Sequence, residues 1–180
     1  RSVQINACEV LRCLAENGLD PVDEFARAAT MAKNNLLNDA AVHRSADALL
    51  SVVVPRVGGA VGSLMDAEPL CADLQLFGLQ KLGDLASYGL AWRRAAASAA
   101  VGRVLRAMAT HASSSSIQAV GLWTLSRLAE RVDAPSAGML DAANAARKKH
   151  PRSALVCRCA EDLDKLLHVR YEGWLYVHNS

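Results

Sequence analysis

Hydrophobic and small residues recur along the chain in a pattern that returns three times almost unchanged. An aliphatic residue at the first position is followed by Ala or Gly at the fifth and by aliphatic residues at the ninth and twelfth. This spacing puts all four on one face of an α-helix. The clearest copies begin at Val3, Leu74 and Ile117, and related copies begin at Val42 and Val156. The pattern predicts a recurrent amphipathic helix whose small residue lets another helix come close.

A second kind of amphipathic segment lies between these copies, so that each unit is predicted to be a pair of helices. These segments cover 24–31, 61–65, 103–111 and 139–146. Glycines and prolines, such as Pro55 and Gly58-Gly59, are expected to separate the helices. Self-similarity at a period of about forty residues is typical of a solenoid. We therefore expect an all-α solenoid of about four to five repeats, with its function on a long surface.

The end of the chain departs from this pattern. From Arg170 onward, large apolar residues alternate with other residues around Gly173, which favours a β-strand over a helix. The pattern therefore divides the chain into two parts, a helical array over 1–169 and a short extended C-terminal tail over 170–180. An alternative is a tail whose Trp174 and Tyr176 pack on the last helix.

The repeated phrase resembles the armadillo repeat, with the related HEAT repeat as an alternative. Its carriers are Val3-Gln4, Leu74-Gln75 and Ile117-Gln118, each followed by the small residue and the Leu-x-x-Leu-Ala ending. The resemblance covers about residues 3–169. It implies a right-handed α-solenoid with a concave groove in which a protein partner binds.

A second resemblance concerns the tail. Glu172–Val177 is similar to the first strand of a pleckstrin-homology domain. An armadillo array followed by such a domain resembles the glideosome-associated connectors of apicomplexan parasites. That resemblance implies a scaffold for gliding motility, with actin or an adhesin tail as partner and binding of acidic phospholipid.

Composition narrows the class of protein. Hydrophobic residues make up 52% of the chain and aromatic residues only 4%, because Ala supplies much of the apolar content. The five cysteines are an odd number and sit in helical segments, which favours a reducing compartment, and we expect a cytoplasmic protein. The chain opens on Arg1 inside a repeat, so it is expected to be a piece of a longer array. The sequence contains no run of eighteen apolar residues, so no membrane-spanning segment is expected.

Residues that could carry chemistry are sparse. The sequence contains no Gly-rich phosphate loop, nucleophile elbow or His-Glu-x-x-His pattern. Cys157 and Cys159 lie two apart, so on a helix they point to different faces and are poor metal ligands. We therefore expect no catalytic residue, no metal site and no cofactor.

The fourth, seventh and eleventh repeat positions lie opposite the buried ones and should line the groove. The expected partner-binding residues are Phe77, Gln80, Asp84, Tyr88, Trp123 and Arg127. Aromatic anchors with polar neighbours suit a peptide or a partner helix. The alternative is that Phe77 and Trp123 are partly buried against neighbouring repeats. Nuclear-import receptors of the armadillo family place Asn four residues after a groove Trp, whereas Arg127 stands there, so a basic import signal is not expected.

A compact basic run marks the last repeat. It contains Arg147, Lys148, Lys149 and Arg152. Cations at the end of a helix are explained by the helix dipole, and a net charge of +2 is too small for a nucleic-acid-binding domain. The alternative function is binding of an anionic membrane surface.

Overall fold

The computed structural model describes residues 7–8, 11–12, 28–29, 31–32, 39–87, 94–132 and 137–178. The described residues before 39 are helical, and from residue 39 onward the described ranges contain six helices. The helices are α1 (Ala40–Ala67), α2 (Ala72–Ala86), α3 (Arg94–Thr110), α4 (Ser115–Ala129), α5 (Ala137–Lys149) and α6 (Ala154–His178). No strand occurs in these ranges. The all-α prediction is confirmed.

The helices form two layers. In one layer α2 contacts α4 and α4 contacts α6; in the other, α1 contacts α3 and α3 contacts α5. Each odd-numbered helix also packs on the even-numbered helix that follows it. The even-numbered helices carry the copies that begin at Leu74, Ile117 and Val156, so these three copies lie side by side. The copy that begins at Val42 forms the first half of α1.

Burial follows the repeated pattern. At the fifth position, Ala46, Gly78, Gly121 and Ala160 are all buried. The first, ninth and twelfth positions are buried as well, except that Leu74 and Asp164 are half-buried. The predicted buried face is therefore confirmed in α1, α2 and α4, and it is weakest in α6, where the ninth position is acidic.

The small fifth residue has a specific packing role in α2 and α4. A Cβ added to Gly78 would lie 2.5 Å from Met65 Cγ, and one added to Gly121 would lie 2.6 Å from Met108 Cγ. Each methionine comes from the preceding helix and is buried. Glycine thus makes room for a methionine to fill the space between the paired helices.

The second repeat position clamps the α1–α2 pair and the α3–α4 pair. Gln75 is 3% exposed, and its Nε2 donates to Met65 O at 2.8 Å and Glu68 O at 3.0 Å. Gln118 is 4% exposed and repeats the arrangement, donating to Met108 O at 2.7 Å and His111 O at 3.3 Å. Met65 O and Met108 O are among the last carbonyls of their helices, which have no partner within the helix, so the glutamine satisfies them. It adds a second bond to Glu68 O and His111 O, which already accept from Cys71 N and Ser114 N. Both glutamines belong to the repeated phrase, but their hydrogen bonds were not predicted from the sequence.

Histidines link one turn between paired helices to the next. His111 Nε2 lies 2.9 Å from Pro69 O, and His150 Nε2 lies 2.8 Å from Ala112 O. A carbonyl only accepts, so Nε2 is the donor in both rings. The two contacts occupy equivalent places, since His111 and His150 each come directly after the last residue of an odd-numbered helix. Successive units are therefore joined through main-chain oxygen atoms.

Three of the four repeat helices begin with a side-chain cap. Asp39 Oδ1 accepts from Ala41 N at 3.0 Å, and Ser114 Oγ and Ser153 Oγ each accept an amide hydrogen bond at 3.4 Å. The cap of α4 is thus Ser114, and Ser116 lies inside the helix. Cys71 holds the equivalent place before α2 and makes no side-chain cap bond.

Helix α1 corrects the expected break at Pro55 and Gly58-Gly59. It runs unbroken for 28 residues and contains all three. Its buried residues, from Val42 to Met65, continue along one face, so tertiary packing outweighs the local cost of about 3 kcal/mol for proline in a helix. Two predicted helices are therefore fused. Helix α1 is long and apolar enough to cross a membrane, but core helices of soluble proteins meet the same criterion.

Helix α6 corrects the predicted extended tail. It continues to His178, so 170–178 are helical and the strand resembling a pleckstrin-homology domain is absent there. The single glycine in this stretch, Gly173, costs a helix only about 1 kcal/mol, and no proline follows Pro151. The alternating aromatic residues were therefore a weaker signal than helix continuation. Residues 179–180 lie outside the described ranges.

Candidate partner-binding groove

Helices α2 and α4 run parallel in a fixed register. Thr124 Oγ1 donates to Leu79 O at 2.9 Å, and Arg131 Nε donates to Ala86 O at 3.1 Å. Both contacts join residues 45 positions apart, near the middle and near the end of the helices. This offset is within two residues of the 43-residue spacing between the copies that begin at Leu74 and Ile117, so equivalent residues of the two helices lie near one another.

The exposed sides of α2, α4 and α6 form rows of equivalent residues, which we call the groove face. Its fourth-position row is Phe77, Val120 and Cys159; its seventh-position row is Gln80, Trp123 and Asp162; its eleventh-position row is Asp84, Arg127 and Leu166. All nine side chains are exposed or half-buried. Sequence reasoning stopped at α4 and missed the members on α6, although the copy beginning at Val156 pointed to them.

Phe77 is the most accessible aromatic residue of the groove face. Half of its surface is exposed, and Lys81 Nζ lies 5.8 Å from the centre of its ring. Gln80 and Asp84 on the same helix are exposed as expected. Tyr88, which was expected to extend this row, lies outside the described residues. Helix α2 therefore offers an aromatic ring with polar and charged neighbours.

Trp123 is only partly available. Its ring lies on Gly83 of α2, where an added Cβ would be 2.8 Å from both Cε3 and Cη2. Arg127 Cζ lies 5.8 Å from the ring centre, within cation–π range. The residue is half-buried, which agrees with the alternative of packing against a neighbouring repeat for Trp123 but not for Phe77. Arg127 itself is exposed.

The groove face carries little reactive chemistry. Burial raises the pKa of the Cys159 thiol, the negative charge of Asp162 raises it further, and Arg158 partly opposes them. A raised pKa keeps the thiol protonated and weakens it as a nucleophile. Within the ranges that the structure describes, no group of three His, Cys, Asp or Glu could hold a metal ion.

The basic run lies at the end of α5, away from these rows. Arg147 is half-buried, and its Nη2 donates to Asn144 Oδ1 at 2.6 Å. Lys148, Lys149 and Arg152 are exposed. Two of these exposed cations occupy the last turn of α5, where the helix dipole favours positive charge.

The groove face and the basic run are therefore separate surfaces. Comparison of the chain with protein-family models, curated proteins and solved structures finds no match.

Proposed function

We propose that this chain is a segment of an armadillo-type α-solenoid that binds a protein partner along the groove face. The observation that carries the proposal is the set of exposed and half-buried rows across three side-by-side copies of one helix, including a half-exposed Phe77. Parallel packing at a constant offset supports the solenoid interpretation. The two-layer contacts of the helices are those expected of stacked helix pairs.

The spacing of the rows favours a helical partner. Packed helices lie about 8–10 Å apart, and a helix rises about 1.5 Å per residue, so one step along a row, from one helix to the next, matches about five to seven residues of a helix laid across them. Residues seven apart return to nearly the same helix face. A partner with apolar residues at that spacing would contact Phe77 and Val120 in turn.

Charges on the groove face set the polar part of recognition. Asp84 and Arg127 are exposed at equivalent positions of neighbouring helices and carry opposite charge. A partner with a cation and an anion one step apart complements them, and such complementarity favours the correct register. A uniformly basic peptide would be repelled by the positive charge of Arg127.

Affinity capture with groove variants tests this function. Phe77→Ala and Arg127→Glu should each reduce recovery of the partner that the wild-type chain captures, because they remove an anchor and reverse a charge. Leu70→Ala is the matched control, since Leu70 is 80% exposed but lies in the turn before α2. Circular dichroism establishes that the variants fold. Equal recovery by the groove variants and the control would refute the groove hypothesis.

Exposed Lys148, Lys149 and Arg152 support a second candidate, binding to an anionic membrane surface. Cations near such a surface contribute about 1 kcal/mol each. Co-sedimentation with vesicles containing phosphatidylserine should fall for Lys148→Glu/Lys149→Glu and remain for Arg127→Glu. Equal sedimentation of both variants would refute a role for the basic run. The actin and adhesin partners drop out of the proposal, because their basis was the tail strand.

A further inference from the structure

Two equivalent cavities lie between successive units, on the side where the odd-numbered helices end. The first has a volume of about 370 Å³ and is lined by residues of α1, α2 and α3, among them Asp66, Gln75, Arg103, Arg106 and Thr110. The second has a volume of about 280 Å³ and is lined by residues of α3, α4 and α5, among them Ala109, Gln118, Ala142, Ala145 and Lys149. Each cavity is lined by the clamping glutamine of its own unit, Gln75 in the first and Gln118 in the second. The two cavities therefore lie at the same junction of consecutive units.

The walls of the two cavities differ in charge. Gln75 donates to Met65 O and Gln118 donates to Met108 O, so Met65 and Met108 are equivalent residues of the two units. Asp66 is then equivalent to Ala109. The turn histidines His111 and His150 align α3 with α5, which places Arg103 and Arg106 at the positions of Ala142 and Ala145. Three charged residues of the first wall thus correspond to three alanines in the second. The second wall has its own charged residues, Asp141 and Lys149, at the positions of Gly102 and Thr110, so stacking at that junction does not use the charged cluster of the first.

Asp66 holds the two arginines together. Its Oδ2 accepts from Arg103 Nε at 2.9 Å, and its Oδ1 accepts from Arg106 Nη2 at 3.0 Å. The Arg103 side chain is 25% exposed and lies against Gly62, where an added Cβ would be 2.7 Å from Cζ. Gly62 therefore provides the space in which this guanidinium lies.

This arrangement leaves donors and positive charge beside the cavity. A guanidinium has five N–H donors, so each arginine keeps further donors beyond the one that Asp66 accepts. One carboxylate neutralises only one of the two cations. The hydroxyl group of Thr110 also lines the space. Arginine forks match the planar or tetrahedral oxygens of carboxylates and phosphates.

We propose that the first cavity is an oxyanion-binding site, with Arg103 and Arg106 as the ligand-binding residues and Asp66 as the residue that positions them. Its ligand is a phosphate monoester or a carboxylate. The site is distinct from the groove face, so it does not depend on the proposed partner-binding function.

Isothermal titration calorimetry with inorganic phosphate, O-phosphoserine and acetate tests the site, with ionic strength held constant by chloride. Saturable binding of phosphate or O-phosphoserine, but not acetate, identifies a phosphate site, and the reverse identifies a carboxylate site. Binding should weaken at least about tenfold in Arg103→Gln and Arg106→Gln, because each loses charge-assisted hydrogen bonds. The absence of saturable binding for all three anions would overturn the proposal.

Two further variants separate this site from general electrostatics and from a structural role. Arg152→Gln removes the same charge outside both cavities, and it should leave binding unchanged; an equal loss would overturn the proposal. The triple variant Asp66→Ala/Arg103→Ala/Arg106→Ala copies the alanines of the second junction. It should melt within a few degrees of the wild type and lose binding. A large loss of thermal stability would show that the charged residues serve packing, and it would also count against the site.

Discussion

Replacing Gly83 with alanine tests how the groove helices pack. The new Cβ would lie 2.8 Å from two atoms of the Trp123 ring and closer still to Cζ3, whereas ordinary carbon contacts need about 3.5–4.0 Å. The indole is rigid, so the whole ring or the helix must shift by about 1 Å. Overpacking of this kind costs about 1–3 kcal/mol. We expect Gly83→Ala to destabilise the fold despite the better helix propensity of alanine.

Gly102→Ala is the matched control. Gly102 also lies inside a helix, but a Cβ there meets no atom within 4 Å. Alanine should therefore stabilise this site by up to about 1 kcal/mol. The two substitutions make the same chemical change and should shift the free energy of unfolding in opposite directions.

Urea denaturation followed by circular dichroism at 222 nm measures both effects. A change of 1 kcal/mol shifts the melting temperature of a chain of this size by about 2–4 °C, so thermal melting gives a second reading. Trp123→Leu should remove much of the penalty of Gly83→Ala, with a coupling of about 1–3 kcal/mol in a double-mutant cycle. If Gly83→Ala stabilises the chain as much as Gly102→Ala, the ring does not lie on α2 and the described packing is wrong.

Four further predictions concern single residues. Cys71→Ser should stabilise the fold by about 0.5–1 kcal/mol in urea denaturation, because it supplies the side-chain cap that α2 lacks; no gain in stability would show that residue 71 does not hold the N-cap position of α2. Gln118→Leu should destabilise it by about 1–3 kcal/mol, since the buried Met108 carbonyl loses its side-chain donor while His111 O keeps the bond from Ser114 N; an unchanged midpoint would refute the clamp. Pro55→Ala should stabilise α1 by about 1–3 kcal/mol in thermal melting, whereas destabilisation would show that the helix needs the proline ring. The pH at which iodoacetamide alkylates Cys159 at half its maximal rate should lie above that of an unstructured cysteine peptide, as its raised pKa requires, and an equal or lower value in peptide mapping would contradict this.

The buried face could be predicted from the sequence because helical periodicity directly reflects burial. Val42, Ala46, Leu50 and Val53 show this well: a copy with little letter-for-letter identity still buries all four positions. The exposure of Phe77 followed from the same periodicity.

Helix ends were predicted less well, because they depend on competition between local preference and packing. Pro55 and Gly173 suggested breaks, yet the helix continues through each of them. The partial burial of Trp123 depends on the absence of a side chain at Gly83, and no pattern within one helix reveals such a contact.

The junctions between units also bear on how such a chain can change over evolutionary time. Thr124, Arg131, His111 and His150 all reach across to main-chain oxygens of the preceding unit. A carbonyl is present whatever the residue, so substitutions in one unit leave the acceptors for the next intact. Copies can therefore diverge independently without losing their neighbours, provided that the backbone keeps its course. This tolerance accounts for repeats whose letters differ widely while their helices still stack.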